Sequence, residues 1–275
     1  MKKILFPTDF SDAANNAYRY ALQLAHNLDA QVVALHVYEM PVIDYVDTPA
    51  YLLDVYNTVE VASFENYKSQ VPVLKKLALD YGMESVPVSS VLLEGDLVAT
   101  VLSMVKEQHF DYIVMSTKGA SGMKETFFGT NTASVMTDTD AIVMAVPEES
   151  AYTGINKIVF TTRFREKDMQ ALEKLVRIAD SLNAQVDCLY VRTSGSDVKE
   201  VVLANWRLRF GQHKINFHII DSEDVEGSIL DFIDRHKSDM LAVLNHKRGF
   251  FEGLFHTSLT KKLAFHSKVP VVAFH

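Results

Sequence analysis

Lys3-Ile4-Leu5-Phe6-Pro7-Thr8-Asp9-Phe10 returns 154 residues later as Lys157-Ile158-Val159-Phe160-Thr161-Thr162-Arg163-Phe164. The same shift carries Leu28-Asp29-Ala30-Gln31-Val32 onto Leu182-Asn183-Ala184-Gln185-Val186, and Leu35 and Val37 onto Leu189 and Val191. Between Lys3 and Val37, 13 of 35 positions are identical at this one gapless offset, which marks an internal duplication. A repeat fixes architecture before any local pattern does. Further along, Asp111-Tyr112-Ile113-Val114-Met115 matches Asp239-Met240-Leu241-Ala242-Val243 at a shift of 128. The second copy is therefore shorter by 154 − 128 = 26 residues, and the extra length of the first falls between Met40 and Gln70. Pro147, Glu148, Glu149, Ser150 and Gly154 read as a linker. The units expected are 1–148 and 155–275.

Each copy opens on a short apolar run, Ile4–Phe6 or Ile158–Phe160, that ends in polar residues. Helical spacing follows: Ala17, Ala21, Leu24 and Ala25 share one face, as do Leu172, Leu175, Ile178, Ala179 and Leu182. Val32–Val37 and Val186–Val191 read as second strands. In copy one a loop with Pro41 and Pro49 leads to a helix from about Tyr51 to Tyr81. Then come a strand Val88–Leu93, a helix Val98–Glu107, a strand Ile113–Met115, a glycine-rich loop, a helix from Ala133 and a strand Ile142–Val146. Copy two continues with Asn216–Ile220, Ser228–His236, Met240–Leu244, Ser258–Phe265 and Val271–Phe274. Strands alternating with helices give an α/β fold with a doubly wound, mainly parallel sheet. Such strands are covered on both faces, hence the unbroken apolar runs. Ligands of such sheets sit at the carboxyl ends of the strands.

The chain has 275 residues, 48% of them hydrophobic and 23% charged, a composition that excludes disorder or low complexity. Residues 1–150 hold 9 Lys+Arg against 20 Asp+Glu, and the rest hold 18 against 15. The acidic half argues against nucleic acid as a partner, since phosphate backbones are held by Lys and Arg. No apolar run reaches the ~18 residues of a membrane span, and the apolar stretch after Met1-Lys2-Lys3 stops at Pro7, too short for a signal peptide. A soluble, cytoplasmic chain is expected. The one cysteine, Cys188, lies in an apolar run and reads as a core residue.

Two segments have the address for chemistry. The first is Pro7-Thr8-Asp9-Phe10-Ser11, just past strand one. Asp9 or Ser11 could cap the following helix, or Asp9 could accept a hydrogen bond from a base or ribose. Both hold if Ser11 or Asp12 takes the cap. The second runs from Ser116 to Thr132, with Gly119, Gly122 and Gly129 within eleven residues and Thr130-Asn131-Thr132 leading into a helix. It is either a surface loop with a Thr cap, or a backbone-lined anion site at a helix N-terminus. Lys118 and Lys124 read as solvated, placed where either could help hold phosphate. In copy two Asp9 becomes Arg163, Gly119 falls near Lys247 or His246 and Gly129 becomes His256, as a lost ligand site or general drift would both give.

At these residues the chain resembles a tandem universal stress protein. That family's nucleotide pattern is G-x-x-G-x9-G-[ST] after strand four. Here Ser116-Thr117-Lys118-Gly119 opens it, nine residues follow, and Gly129-Thr130 closes it, with Ser116 in place of the first glycine. The resemblance implies that Asp9 and Val37 hold adenine and ribose, that Ser116, Gly119, Gly129, Thr130 and Asn131 hold phosphates, and that Pro7, Thr8 and Met115 belong to the same cofactor-binding set. It implies ATP or a related adenine nucleotide, with or without Mg2+, bound in copy one. It also implies sheet order 3-2-1-4-5 and an intrachain pseudo-dimer paired through Ile142–Val146 and Val271–Phe274. A further homodimer and an unidentified protein partner are compatible with it. Copy two fails the pattern at Arg163, Lys247 and His256, so no ATP is expected there.

No catalytic set stands out. His36, His246, His256 and His266 lack a nucleophile at diagnostic spacing, and neither G-x-S-x-G nor G-x-x-x-x-G-K-[ST] occurs. Three roles stay open: a nucleotide-binding stress-response module, a non-binding interaction protein, and a slow ATPase. The aromatics Tyr45, Tyr51, Tyr56, Phe64 and Tyr67 of the extra segment are expected to pack as core, and Trp206 to be partly buried. Arg207, Arg209, Lys214, Lys247, Arg248, Lys261 and Lys262 are expected on a solvated face.

Overall fold

The computed structural model describes residues 1–43, 49–118, 130–245, 259, 263 and 266–275. Copy one runs β1 (Lys2–Pro7), α1 (Asp12–Leu28), β2 (Ala30–Tyr38), α2 (Pro49–Asp80), β3 (Val88–Glu94), α3 (Leu97–Gln108), β4 (Tyr112–Ser116), α4 (Thr130–Asp138) and β5 (Ile142–Val146). Copy two runs β6 (Lys157–Thr161), α5 (Glu166–Leu182), β7 (Gln185–Arg192), α6 (Glu200–Phe210), β8 (Ile215–Asp221), α7 (Val225–His236), β9 (Met240–Leu244) and β10 (Val271–Phe274). The strands form one ten-stranded sheet in the order β3-β2-β1-β4-β5-β10-β9-β6-β7-β8. Each half thus has the expected 3-2-1-4-5 order, with parallel pairs throughout. The halves join where β5 and β10 run antiparallel, with Val271 opposite Ala145, Val272 opposite Met144 and Ala273 opposite Val143.

The continuous apolar runs follow from two covered faces. Successive strand residues point to opposite sides. Ile4 and Phe6 enter one core with Ile158 and Phe160, while Leu5 and Val159 enter the other. All six are fully buried. Each such side chain contributes about 1.5–3 kcal/mol relative to exposure. Both cores run through both halves, so the pair of copies packs as one body.

The duplication is also written in the backbone. Six described non-glycine residues have positive φ, and they fall into three pairs: Phe10 and Phe164, Asp29 and Asn183, His109 and Lys237. The separations are 154, 154 and 128 residues, the two repeat offsets. Asp29, Asn183, His109 and Lys237 each close a helix in the left-handed conformation. Polar anchors repeat likewise. The Lys3 amide donates to Asp111 Oδ2 at 2.9 Å, and the Lys157 amide to Asp239 Oδ2 at 2.9 Å.

Copy two departs from expectation between β7 and β8. A helix, α6, stands there where the sequence pattern had marked none. Leu203, Trp206 and Phe210 line its buried side, and Trp206 is 1% exposed, fully buried and not half-buried as expected. Its ring meets that of Phe164 edge-on at 4.9 Å. The copy-one counterpart, α2, is 32 residues long against 11. Among its described side chains Tyr56 and Tyr67 are half-buried and Phe64 is exposed, so the expectation of core packing fails for them. Among its described side chains only Leu74 and Ala78, near its C-terminal end, are buried. Tyr45 and the side chain of Tyr51 lie outside the described residues. Cys188 is fully buried, and burial pushes its thiol pKa well up, as befits a core residue. No described helix is long and apolar enough to cross a membrane.

Candidate functional site

In copy one, Pro7 ends β1, Val37 is the last but one residue of β2, and Met115 and Ser116 end β4. Thr130 and Asn131 open α4. These expected site residues therefore share the carboxyl edge of the sheet. Gly119 and Gly129 lie outside the described residues. Pro7 and Met115 are buried, and Met115 packs its side chain into a core, so only its backbone is available to a ligand. Val37 is half-buried over the same core. Thr130, Asn131 and Asp9 are exposed.

The turn after β1 is held from three sides. The Thr8 amide donates to the Leu35 carbonyl at 2.8 Å, its hydroxyl accepts from the Phe10 amide at 3.0 Å, and its carbonyl lies 2.8 Å from His36 Nδ1. Phe10 takes φ of 62° and lays its ring 4.7 Å from that of His36. A bulky residue at positive φ is strained, and strain of about 1–3 kcal/mol persists only where surroundings over-determine it. The cap of α1 is Ser11, whose side chain accepts from the Ala14 amide at 3.2 Å. Ser11 also donates to Asp9 Oδ1, from its hydroxyl at 2.6 Å and its amide at 3.1 Å. Ser11 thus caps the helix and orients the Asp9 carboxylate, which stands exposed above the helix start.

Ser116, which replaces a motif glycine, builds the second turn with its hydroxyl. It donates to the Lys118 carbonyl at 2.7 Å and faces the Lys118 amide at 3.2 Å. The Ser116 carbonyl accepts from Thr132 Oγ1 at 2.9 Å, which brings the first turn of α4 against the end of β4. Thr130 and Asn131, both exposed, stand at the described start of α4, the positive end of the helix, where an anion is favoured.

Copy two has closed the equivalent turn. Asp168, in the position of Ala14, is 2% exposed. Its Oδ2 accepts from Thr162 Oγ1 at 3.1 Å, the Arg163 amide at 2.7 Å and the Arg165 amide at 3.1 Å. An internal carboxylate therefore occupies the turn's donors, and Arg163 stands where Asp9 stands in copy one. Phe164 turns its ring toward Tyr190 at 5.4 Å, the residue that replaces His36. The role of Asp168 was not apparent from sequence, where an Asp in the first turn of a helix is commonplace. Lys247, Arg248 and His256 lie outside the described residues.

Copy two carries a second buried carboxylate, Asp187 on β7, 2% exposed where copy one has Val33. Burial alone would raise its pKa. Donors on Asn216, Gln185 and His218, at 3.0, 2.9 and 3.2 Å from Oδ1, outweigh that and hold it below the usual carboxylate value. Among the described residues no group of three or more His, Cys, Asp or Glu is arranged to hold a metal.

The sequence pattern of the universal stress protein family matches residues 1–147 and 199–275. The chain belongs to the universal stress protein family. The unmatched stretch between them holds β6, α5 and β7, where Arg163, Asp168 and Asp187 lie. Universal stress protein MJ0531 of Methanocaldococcus jannaschii is 28% identical over 145 residues, covering 53% of this chain and 81% of its own. Universal stress protein MJ0577 of the same organism is 26% identical over 160 residues, covering 54% of this chain and 97% of its own. The crystal structure of a universal stress protein from Archaeoglobus fulgidus is similar in fold along the whole length. Its TM-score is 0.75 at 14% identity, with 99% of this chain and 97% of that one covered.

Proposed function

We propose that residues 1–148 of this universal stress protein form an adenine-nucleotide-binding unit, with ATP the first candidate. Residues 155–275 are then a paired unit without a nucleotide site that serves as an interaction module. The observation that carries this is the contrast between the two turns after the first strands. Copy one offers an exposed, oriented carboxylate at Asp9. Copy two fills the same turn with the buried Asp168. Asp9 would accept from ribose hydroxyls, the backbone around Val37 would contact the base, and Ser116, Thr130 and Asn131 would receive phosphates, together with Gly119 and Gly129 of the motif. The chemistry of these groups fits a nucleotide: an acceptor at one end, amides of a helix start at the other. Mg2+ would arrive on the phosphates. A cytoplasmic place in the stress response accords with the family.

Equilibrium dialysis against millimolar ATP tests the proposal. Retention by the wild type and at least tenfold weaker retention by Asp9→Arg, which installs the copy-two residue, are expected. No retention by the wild type would leave the chain a non-binding interaction protein.

A further inference from the structure

Five of the nine exposed large apolar side chains among the described residues belong to one helix, α2: Leu53, Val61, Phe64, Val73 and Leu79. Leu53 and Val61 are each 61% exposed and Phe64 is 52% exposed. At 3.6 residues per turn, Leu53, Phe64 and Val61 fall within about 80° of arc, with Asn57 and Lys68 between them. The other side of the helix is turned inward: Tyr56, Val59 and Tyr67 are half-buried, and Leu74 and Ala78 are buried. α2 therefore presents a second apolar stripe to solvent, and core packing does not account for it. Its charges are sorted along its length. Residues 49–66 hold Asp54, Glu60 and Glu65 with no Lys or Arg, and residues 67–80 hold Lys68, Lys75 and Lys76 against Asp80. The helix dipole does not explain the sorting. It acts over the terminal turns, and the first turn of α2 holds no acid and the last no base.

We propose that this stripe is the contact face of a homodimer, in which α2 packs antiparallel on α2 of a second copy of the chain with Val61 at the twofold axis. Residues equidistant from Val61 on the two helices then face each other. Asp54 and Lys68, seven residues either side of Val61, meet as an ion pair, and Asn57 and Glu65, four either side, meet as amide and acid. The twofold axis makes each pair twice. Leu53 and Phe64 flank the centre and lose their exposed apolar surface to the partner. A parallel arrangement would set the acidic halves against each other, so the charges select the antiparallel one. Within one chain Lys68 lies 3.6 Å from Glu65 Oε1, both side chains exposed; such a pair is worth little, and Lys68 is available to Asp54 of the second copy. Copy two has only the 11-residue α6 in place of the 32-residue α2, so each chain offers one such face and association closes at two. In this register residues 49–73 overlap, a strip of about 37 Å, which is small for a stable interface and gives a weak, concentration-dependent dimer.

Sedimentation velocity of the full chain from about 1 to 500 μM tests the pairing, and the wild type should pass from monomer toward dimer across that range. Val61→Asp, at an exposed position on which folding does not depend, should raise the dissociation constant at least about tenfold by setting two carboxylates face to face. Lys68→Asp should raise it roughly two- to tenfold. Asp54→Lys/Lys68→Asp exchanges the charges and rebuilds both pairs, so it should return to within about twofold of the wild type. Val61→Cys should form an interchain disulfide on mild oxidation, and Leu208→Cys, exposed on α6, should not. The native Cys188 is fully buried and does not compete. A chain that stays monomeric throughout overturns the proposal and leaves the stripe to a different partner. A dimer unaffected by Val61→Asp also overturns it, since the contact then lies elsewhere, as at the sheet edges β3 or β8. A double exchange as weak as Lys68→Asp alone overturns the antiparallel register.

Discussion

Replacing Asp168 by Ala removes the group that closes the copy-two turn. Oδ2 accepts from one hydroxyl and two amides, at 3.1, 2.7 and 3.1 Å, on a side chain 2% exposed. A hydrogen bond to a charged group is worth about 1.5–3 kcal/mol net, and a buried donor left without a partner costs about 1–3 kcal/mol. The Thr162 hydroxyl can re-aim, and water can reach the half-buried amides of Arg163 and Arg165, so the three contacts do not add fully. A loss of about 2–4 kcal/mol is expected. At about 2–4 °C per kcal/mol for a chain of this size, Tm should drop by roughly 4–16 °C. The chain has a single tryptophan, Trp206, which packs edge-on against Phe164 at the mouth of that turn. Its fluorescence during urea unfolding reports on copy two specifically. Asp168→Asn, which keeps one acceptor without the charge, should fall between wild type and Ala. A loss under about 0.5 kcal/mol for Asp168→Ala would refute the view that this carboxylate holds the turn closed.

Three further outcomes follow from the same contacts. Ser11→Ala should cost about 1 kcal/mol of stability through the lost cap, read by thermal unfolding, and weaken nucleotide retention by freeing Asp9 from the orienting hydroxyl. Ala273→Asp sets a carboxylate at a fully buried position facing Val143 across the β5–β10 seam. It should destabilise the chain by several kcal/mol, because a buried unpaired charge lacks compensation, and expose the linker to limited proteolysis. Asp187 has a depressed folded pKa, so its contribution is complete above its unfolded pKa near ~4 and fades as pH falls through and below it. The stability gap between wild type and Asp187→Asn, measured by urea unfolding, should be widest near neutrality and shrink below pH about 4.

The parts of the molecule legible in advance were those with a period. Phe6 and Phe160, or Leu35 and Leu189, sit at one offset, and identical spacing in a duplicated chain forces identical topology. The seam was legible through the family resemblance, and β5 and β10 have the bounds expected for them. α6 was missed although Leu203, Trp206 and Phe210 are spaced three and four apart, because the segment is short and further apolar residues, among them the exposed Val201 and Leu208, lie off that face and blur the stripe. α2 was found, but its aromatics misled, since an apolar stripe implies a core only where a partner surface exists to cover it. Of the site, the position of Asp9 was legible and its orientation by Ser11 was not separable from capping. The plug by Asp168 could not be read at all. Its acceptor role depends on the turn folding back over the first residues of α5, a relation between a loop and a helix that no spacing encodes.

The central claim, one nucleotide site per chain and that site in copy one, is tested most directly by the stoichiometry of ATP binding in a calorimetric titration. The account predicts about one ATP per chain for the wild type, abolished by Asp9→Arg and unaffected by Arg163→Ala. Two ATP per chain, or one that survives Asp9→Arg and disappears with Arg163→Ala, would contradict it.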